Sequence, residues 1–255
     1  MKKPTIVNLC DRDFQEILER IHEKDMPIVQ VGSYSCANYF IHVIKFIAGP
    51  SKEVFASNGF DLVIPTLPEH YLNVLESEEF HVCCDRCRQI VVNDYGILQY
   101  LNGQYNIRMG RLFFKDYRDH RYKEYDSAEY EAKAGAVLDF VFNSGIRINA
   151  FENDIITQNY SFSHNKPLEV YLHYPYRQIS MSHICEYASI GKKIEDKYIP
   201  DDFCSMQCLK IKLISPEYKY IKVGKSVYDI LDEQYLENIK SDYCLIVTPK
   251  WSEVE

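Results

Sequence analysis

The chain has 255 residues, 46% hydrophobic and 26% charged, a globular composition that excludes disorder and supplies enough apolar side chains for a sizeable core. It carries 29 Lys and Arg against 37 Asp and Glu, and the formal charge of -8 opposes nonspecific attraction to nucleic acid or an anionic membrane surface. No apolar run approaches the roughly 20 residues that span a bilayer, and MKKPTIVNLCDRD lacks the apolar stretch and cleavage site of a signal peptide, so the expectation is a cytoplasmic protein.

Short β-branched or apolar runs alternate with segments whose apolar residues recur near the helical period. TIVNLC (5–10) precedes DFQEILERIHEK (13–24), and MPIVQVG (26–32) precedes ANYFIHVIKFIA (37–48). DLVIPTL (61–67) is followed by PEHYLNVLESEE (68–79), and QIVVND (89–94) by YGILQYLNGQ (95–104). YNIRMGRLFF (105–114) leads to SAEYEAKAGAVLDFVFNSG (127–145), after which come GIRINAFE (145–152) and LEVYLHY (168–174). Beyond an irregular stretch, SHICEYASIGKKIEDKYIPDDFCSMQC (182–208), three more runs read as strands: LKIKLIS, YKYIKVG and DYCLIVTP. They enclose SVYDILDEQYLENIK (226–240), read as a helix. Repeated β-then-α units predict an α/β fold, a TIM-barrel-like (β/α) barrel that is incomplete or modified at its C-terminal end. Residues 1–255 form one domain in this reading, with a cysteine-bearing loop at 182–208.

Functional groups in such barrels gather where strands end and loops begin, at the C-terminal face. The residues at or just beyond the predicted strand ends are Cys36, Asn93, Asp94, Arg111, Glu152 and His173. Asp94, Glu152 and His173 are of types that carry protons. Each also has a structural reading. Asp94 suits an N-cap for the helix starting at Tyr95, Arg111 could pair with Glu152 across the mouth, and His173 could be a satisfied core residue.

Nine cysteines in a chain with no export signal point away from disulfides and toward metal binding. Thiolates are soft, charged donors that suit zinc or iron-sulfur centres. Cys204 and Cys208 form a C-x3-C pair, Cys185 shares their loop, and the barrel argument brings Cys36 to the same mouth. HVCCDRC contributes Cys83, Cys84 and Cys87, and its C-x2-C spacing is a zinc half-site. Cys84, Cys87, Cys204 and Cys208 are therefore an alternative four-thiolate zinc site, and spacing leaves both sets open. Cys10 and Cys244 lie inside apolar runs and read as core.

VGSYSC (31–36), VVNDYGILQYL (91–101), MGRLFF (109–114) and LEVYLHYPYRQISMSHICEY (168–187), followed by C-x3-C, resemble the collagenase-like peptidase family. They are most similar to its ubiquinone-biosynthesis branch, the accessory proteins of oxygen-independent hydroxylation. The resemblance implies a [4Fe-4S] cluster on Cys36, Cys185, Cys204 and Cys208, and a paralogous partner subunit. It also implies a small organic substrate, with prephenate as an oxygen donor in related hydroxylases, for which Arg111 is the residue to grip a carboxylate. The long loop between Cys185 and Cys204 and the additional Cys83, Cys84 and Cys87 depart from the family pattern.

Proteolysis lacks its motifs, since neither H-E-x-x-H nor G-x-S-x-G is present. The leading expectation is an iron-sulfur protein acting in oxygen-independent hydroxylation or a related redox step. The alternative is a noncatalytic zinc- or cluster-binding accessory protein. A third is RNA-base hydroxylation, for which residues 210–212 and 219–225 would supply a basic surface against an unfavourable overall charge.

Overall fold

The computed structural model describes residues 5–22, 28–114, 127–154, 168–199, 204–210, 212–215, 220–237 and 243–251. Seven strands succeed one another along the chain: β1 (Thr5–Asn8), β2 (Ile28–Gly32), β3 (Phe60–Ile64), β4 (Gln89–Val92), β5 (Ile107–Met109), β6 (Ala150–Asn153) and β7 (Glu169–Tyr174). Four more, β8 (Tyr176–Met181), β9 (Leu213–Ser215), β10 (Tyr220–Val223) and β11 (Ser226–Ile230), precede β12 (Cys244–Val247). The helices are α1 (Phe14–Ile21), α2 (Ala37–Ala48), α3 (Lys52–Ser57), α4 (Glu78–Arg86), α5 (Tyr95–Leu101), α6 (Ser127–Asn143) and α7 (Gln234–Glu237).

Strands β1 to β7 and β12 close into an eight-stranded parallel barrel in the order β1-β12-β7-β6-β5-β4-β3-β2. Barrel strands are buried on both faces, so their alternation separates two cores rather than core from solvent. Outward residues such as Val29, Val31, Leu62, Ile64, Ile90 and Val92 pack with α2, α4 and α5 in the main apolar core. Inward residues form a lower layer of Ile6, Ala150, Tyr171, Cys244 and Ile246 and an upper one of Cys10, Tyr34, Val63 and Val91. Among these apolar residues sit buried polar side chains: Gln30, Asp61, Arg108, Glu152 and His173.

The C-terminal region departs from the sequence reading. The barrel is complete, and its modification is an insertion between the seventh and eighth barrel strands. Strands β8, β11, β10 and β9 form an antiparallel four-stranded sheet. Its buried Tyr176, Ile221, Val223 and Tyr228 pack against Trp251, which follows β12. The predicted helix at 226–240 is replaced at its start by β11, and of its described residues only Gln234–Glu237 are helical. Ser226 and Tyr228 alternate with half-buried Val227 and Asp229, a period-two pattern that pairing with β8 and β10 selects over local helix propensity.

Smaller corrections fall on caps. The helix expected at 68–79 is a 3-10 segment, Glu69–Glu76, that ends where Ser77 turns extended and its Oγ accepts the Phe80 N–H at 3.2 Å to start α4. No helix among the described residues is long and apolar enough to cross a membrane.

Candidate functional site

The mouth of the barrel is built from the turn after β2. Gly32 has φ +121, and a Cβ there would collide with the Val63 carbonyl, so only glycine lets the chain pass this close to β3. Ser33 N–H donates to that carbonyl at 3.2 Å. Ser33 Oγ donates to Asp11 Oδ1 at 2.6 Å and accepts the Cys36 N–H at 2.9 Å. Cys36 is thereby held as the N-cap of α2, its Sγ accepting the Tyr39 N–H at 3.4 Å. A sulfur at that position faces the positive end of the helix, and the Tyr39 N–H offsets part of the rise that burial imposes on the thiol.

The long cysteine loop meets this turn from above. Cys185 and Cys208 pack with Tyr187 and Ala188 in a small buried cluster, with Cys204 against it. Met206 and Leu209 pack onto the main core that includes Cys36. Gly224, at the β10–β11 turn, has φ +55, and its Cβ position would lie 3.9 Å from Cys208 Sγ. The four sulfurs feel one another electrostatically: Cys204 and Cys208 act on Cys36, and Cys185 acts on both Cys204 and Cys208. Burial pushes the Cys36, Cys204 and Cys208 thiols up, Cys208 to about 12, and neighbouring thiols add to the rise. Asp11 belongs to the same corner. Burial raises its carboxyl to about 6, against the Ser33 hydrogen bond and Lys212, which lower it.

Cys83, Cys84 and Cys87 lie elsewhere. They occupy α4 and its C-cap, immediately before β4, so they sit at the N-terminal end of the strands while Cys204 and Cys208 sit at the C-terminal end. The zinc set of Cys84, Cys87, Cys204 and Cys208 is therefore not assembled. Parallel strands send residues before and after them to opposite ends of a barrel, which C-x2-C spacing could not reveal. Cys83 Sγ donates to the Ile44 carbonyl at 3.5 Å and Cys87 Sγ to the Cys84 carbonyl at 3.3 Å. Burial raises all three thiols, Cys83 to about 12.

Below the thiol corner lies a buried ionic layer. Glu152 Oε2 accepts the Tyr34 hydroxyl at 2.8 Å and stands 3.0 Å from His173 Nε2, while Oε1 is 3.1 Å from Arg108 Nε. Arg108 Nη2 also donates to Asp61 Oδ2 at 2.7 Å and Gln30 Oε1 at 2.9 Å, and its guanidinium lies 4.1 Å from the Tyr171 ring. Burial opposes ionisation of Glu152, but Arg108 and His173 outweigh it and hold the carboxyl below its ordinary range. Burial, then Arg111, pushes His173 down, so the ring is neutral at pH 7. A neutral ring facing a carboxylate donates from Nε2, which leaves the lone pair on Nδ1. That nitrogen is buried and finds no hydrogen-bond partner among the described residues.

Arg111 stands one level higher and pairs with Asp154, not Glu152: Nε donates to Oδ2 at 3.1 Å, Nη2 binds Oδ1, and Nη2 also donates to the Tyr176 carbonyl at 2.8 Å. Asp154 lies two residues beyond Glu152 on the same inward face, at the height of the 3-10 turn Arg111–Phe114 that follows β5. Arg108, Asp61, Tyr34, Asp154 and Asp11 were not singled out from the sequence. Asp61 and Arg108 did carry a signal, since a charged residue inside a strand buried on both faces must find a partner. Asp94 caps α5, its Oδ1 accepting the Ile97 N–H at 3.1 Å, and it lies half-buried on the outer side of the rim.

Among the described residues, no three His, Cys, Asp or Glu side chains close on a point tightly enough to hold a single metal ion. The chain matches no protein-family model, no curated protein and no solved structure.

Proposed function

We propose that this chain is an iron-sulfur protein, with Cys36, Cys185, Cys204 and Cys208 as the ligands of a [4Fe-4S] cluster, and that it serves oxygen-independent hydroxylation or a related redox step together with a paralogous partner subunit. The observation that carries the reading is the gathering of those four thiols at one mouth from three separate stretches of chain. A zinc ion draws its ligand sulfurs to about 2.3 Å from one centre, whereas a four-iron cluster gives each thiolate its own iron and takes a wider set.

When bound, such a cluster supplies one-electron transfer, with all four irons occupied by protein sulfur. The chain's own residues hold and shield it. The α2 N-terminus faces Cys36, and Met206 and Leu209 seal the loop against the core. Beneath, Glu152 orients the neutral His173 ring so that Nδ1 presents a lone pair, the arrangement of a general base. A carboxylate substrate such as prephenate would compete with Asp154 for the Arg111 fork. A noncatalytic, cluster-binding accessory role is the second reading, and what favours it is that Glu152, His173, Arg108 and Arg111 are buried and already bonded to one another or to Asp154.

The test is anaerobic purification followed by iron and acid-labile sulfide analysis and visible spectroscopy. Wild type is expected to carry about four irons per chain. Cys36→Ala, Cys185→Ala, Cys204→Ala and Cys208→Ala are expected to lose them while Cys84→Ala and Cys87→Ala keep them. Zinc in place of iron, or iron that survives the first set, overturns the reading.

A further inference from the structure

A half-open cleft of about 720 Å³ lies on the outer side of the C-terminal rim, between the 3-10 segment Glu69–Glu76 and α5. Its volume falls within the roughly 300–1,000 Å³ of small-molecule sites. The floor is apolar and buried: Leu67, Leu75 and Ile97 are 7%, 4% and 2% exposed. Leu72 and Tyr100 stand at the rim, 44% and 47% exposed, as apolar side chains left open to solvent on opposite walls. Two exposed large apolar groups flanking an apolar floor present a continuous surface that water covers poorly.

Every charged side chain that lines this cleft is a carboxylate: Glu69, Glu76 and Asp94. Glu69 and Glu76 sit at the two ends of one wall and Asp94 at the start of the other, so negative charge flanks the apolar floor from both sides. The walls are preformed. Tyr71 OH donates to Asn38 Oδ1 at 2.6 Å, tying the 3-10 wall to α2, and the Asp94 cap fixes the start of α5. A preformed site avoids the ordering cost that a mobile one meets on binding.

We propose that this cleft binds small organic cations, specifically a protonated amine on an apolar, aromatic body of arylalkylamine size. The body covers Leu67, Leu75 and Ile97 beside Tyr100, and the ammonium sits in the negative field that the carboxylates of Glu69, Glu76 and Asp94 set up from both walls. An anion of the same shape would face three like charges, and a neutral analogue would gain nothing from them. Asp94 thereby has a binding role at the rim, separate from the thiol corner. The proposal does not depend on the cluster reading, because none of its residues is a proposed cluster ligand.

The experiment is calorimetric titration of the 255-residue chain with phenethylamine, 2-phenylethanol and 3-phenylpropanoate, three probes that share a body and differ in charge. Phenethylamine is expected to bind with a Kd of about 1 mM or tighter, and the other two at least about tenfold more weakly. Glu69→Gln and Glu76→Gln are each expected to weaken the amine about three- to fivefold, as partly exposed charges do, and 0.5 M salt is expected to weaken it further. Asp94→Asn keeps a good N-cap while removing the charge, so its loss of affinity would not reflect unfolding. Tyr100→Ala, at an exposed position, should weaken amine and alcohol alike. Equal binding of the amine and the alcohol, amine binding unmoved by all three charge-removing variants, or no amine binding at about 10 mM overturns the proposal.

Discussion

The two thiol groups of this protein contrast in how their members meet. Cys83, Cys84 and Cys87 are neighbours on one turn of α4 and its cap, and two of them donate to nearby backbone carbonyls. Cys185, Cys204 and Cys208 pack together, and Cys36 comes within electrostatic reach of Cys204 and Cys208, only because the barrel closes and distant segments fold over its mouth. Neighbours on a helical turn are adjacent whatever the protein does with them. Thiols recruited from distant segments require loops to be ordered at an entropic cost, which metal binding can offset. Nearness across the chain is thus the stronger sign of a shared role, and nearness along it the weaker.

Metal removal breaks the comparison most sharply. Under anaerobic conditions, a chelator that strips the mouth should lower the Tm by about 10–20 °C, the equivalent of roughly 5 kcal/mol in a chain of this size. Cys208→Ala should show the lowered Tm at the outset and no further fall, and Cys84→Ala should respond as wild type does. A thermal scan with and without chelator checks this.

Next in size is the ionic layer between the two ends. Arg108→Ala leaves Asp61 and Glu152 buried with less compensation and should cost about 3–5 kcal/mol in denaturant unfolding. Iron content should not change, because Arg108 lies below the thiol corner. If iron were lost with unchanged stability, the separation of the two layers would be wrong.

Asp11 offers a pH signature confined to the mouth. Its carboxyl is raised from 3.8 to about 6 in the folded protein, so the native state keeps a proton that the unfolded chain has released. Its contribution is therefore complete below about pH 4 and lost as pH rises to about 6. Asp11→Asn, which keeps a side chain able to bond Ser33 and to tolerate the residue's φ of 56, should remove up to about 3 kcal/mol of that fall. Stability of metal-free protein measured between pH 4 and pH 7 decides it.

The smallest effect belongs to α4. Cys83→Ala removes a buried sulfur and should cost about 1 kcal/mol with no loss of iron, since its thiol only packs and bonds a backbone carbonyl. Denaturant midpoints beside iron analysis separate packing from ligation.

Much of the architecture was legible in the residues. ANYFIHVIKFIA reads as the helix Ala37–Ala48 that the fold contains, and six of the eight barrel strands lie within runs recognisable by composition, while β3 and β6 each extend one residue beyond theirs. The C-terminal region was not legible in the same way. VYDIL satisfies both a helical and a two-residue period, and only pairing with β8 and β10 made it β11. Glu152 and His173 were readable as strand-end groups, yet their partners Arg108 and Tyr34 were not, because a partner is defined by proximity and not by type.

By itself, the sequence determined the order of the first seven barrel strands, the residues that alternate inward, and the supply of sulfur and carboxylate along the chain. Alternation assigns a face, because successive side chains of a strand point to opposite sides. It does not assign a height. Which inward residues share a level depends on the tilt and stagger that closing the barrel imposes on its strands. Tertiary structure alone therefore decided that Arg108 rather than Arg111 meets Glu152, that Cys36 comes within electrostatic reach of Cys208, and that Cys84 and Cys87 lie at the other end.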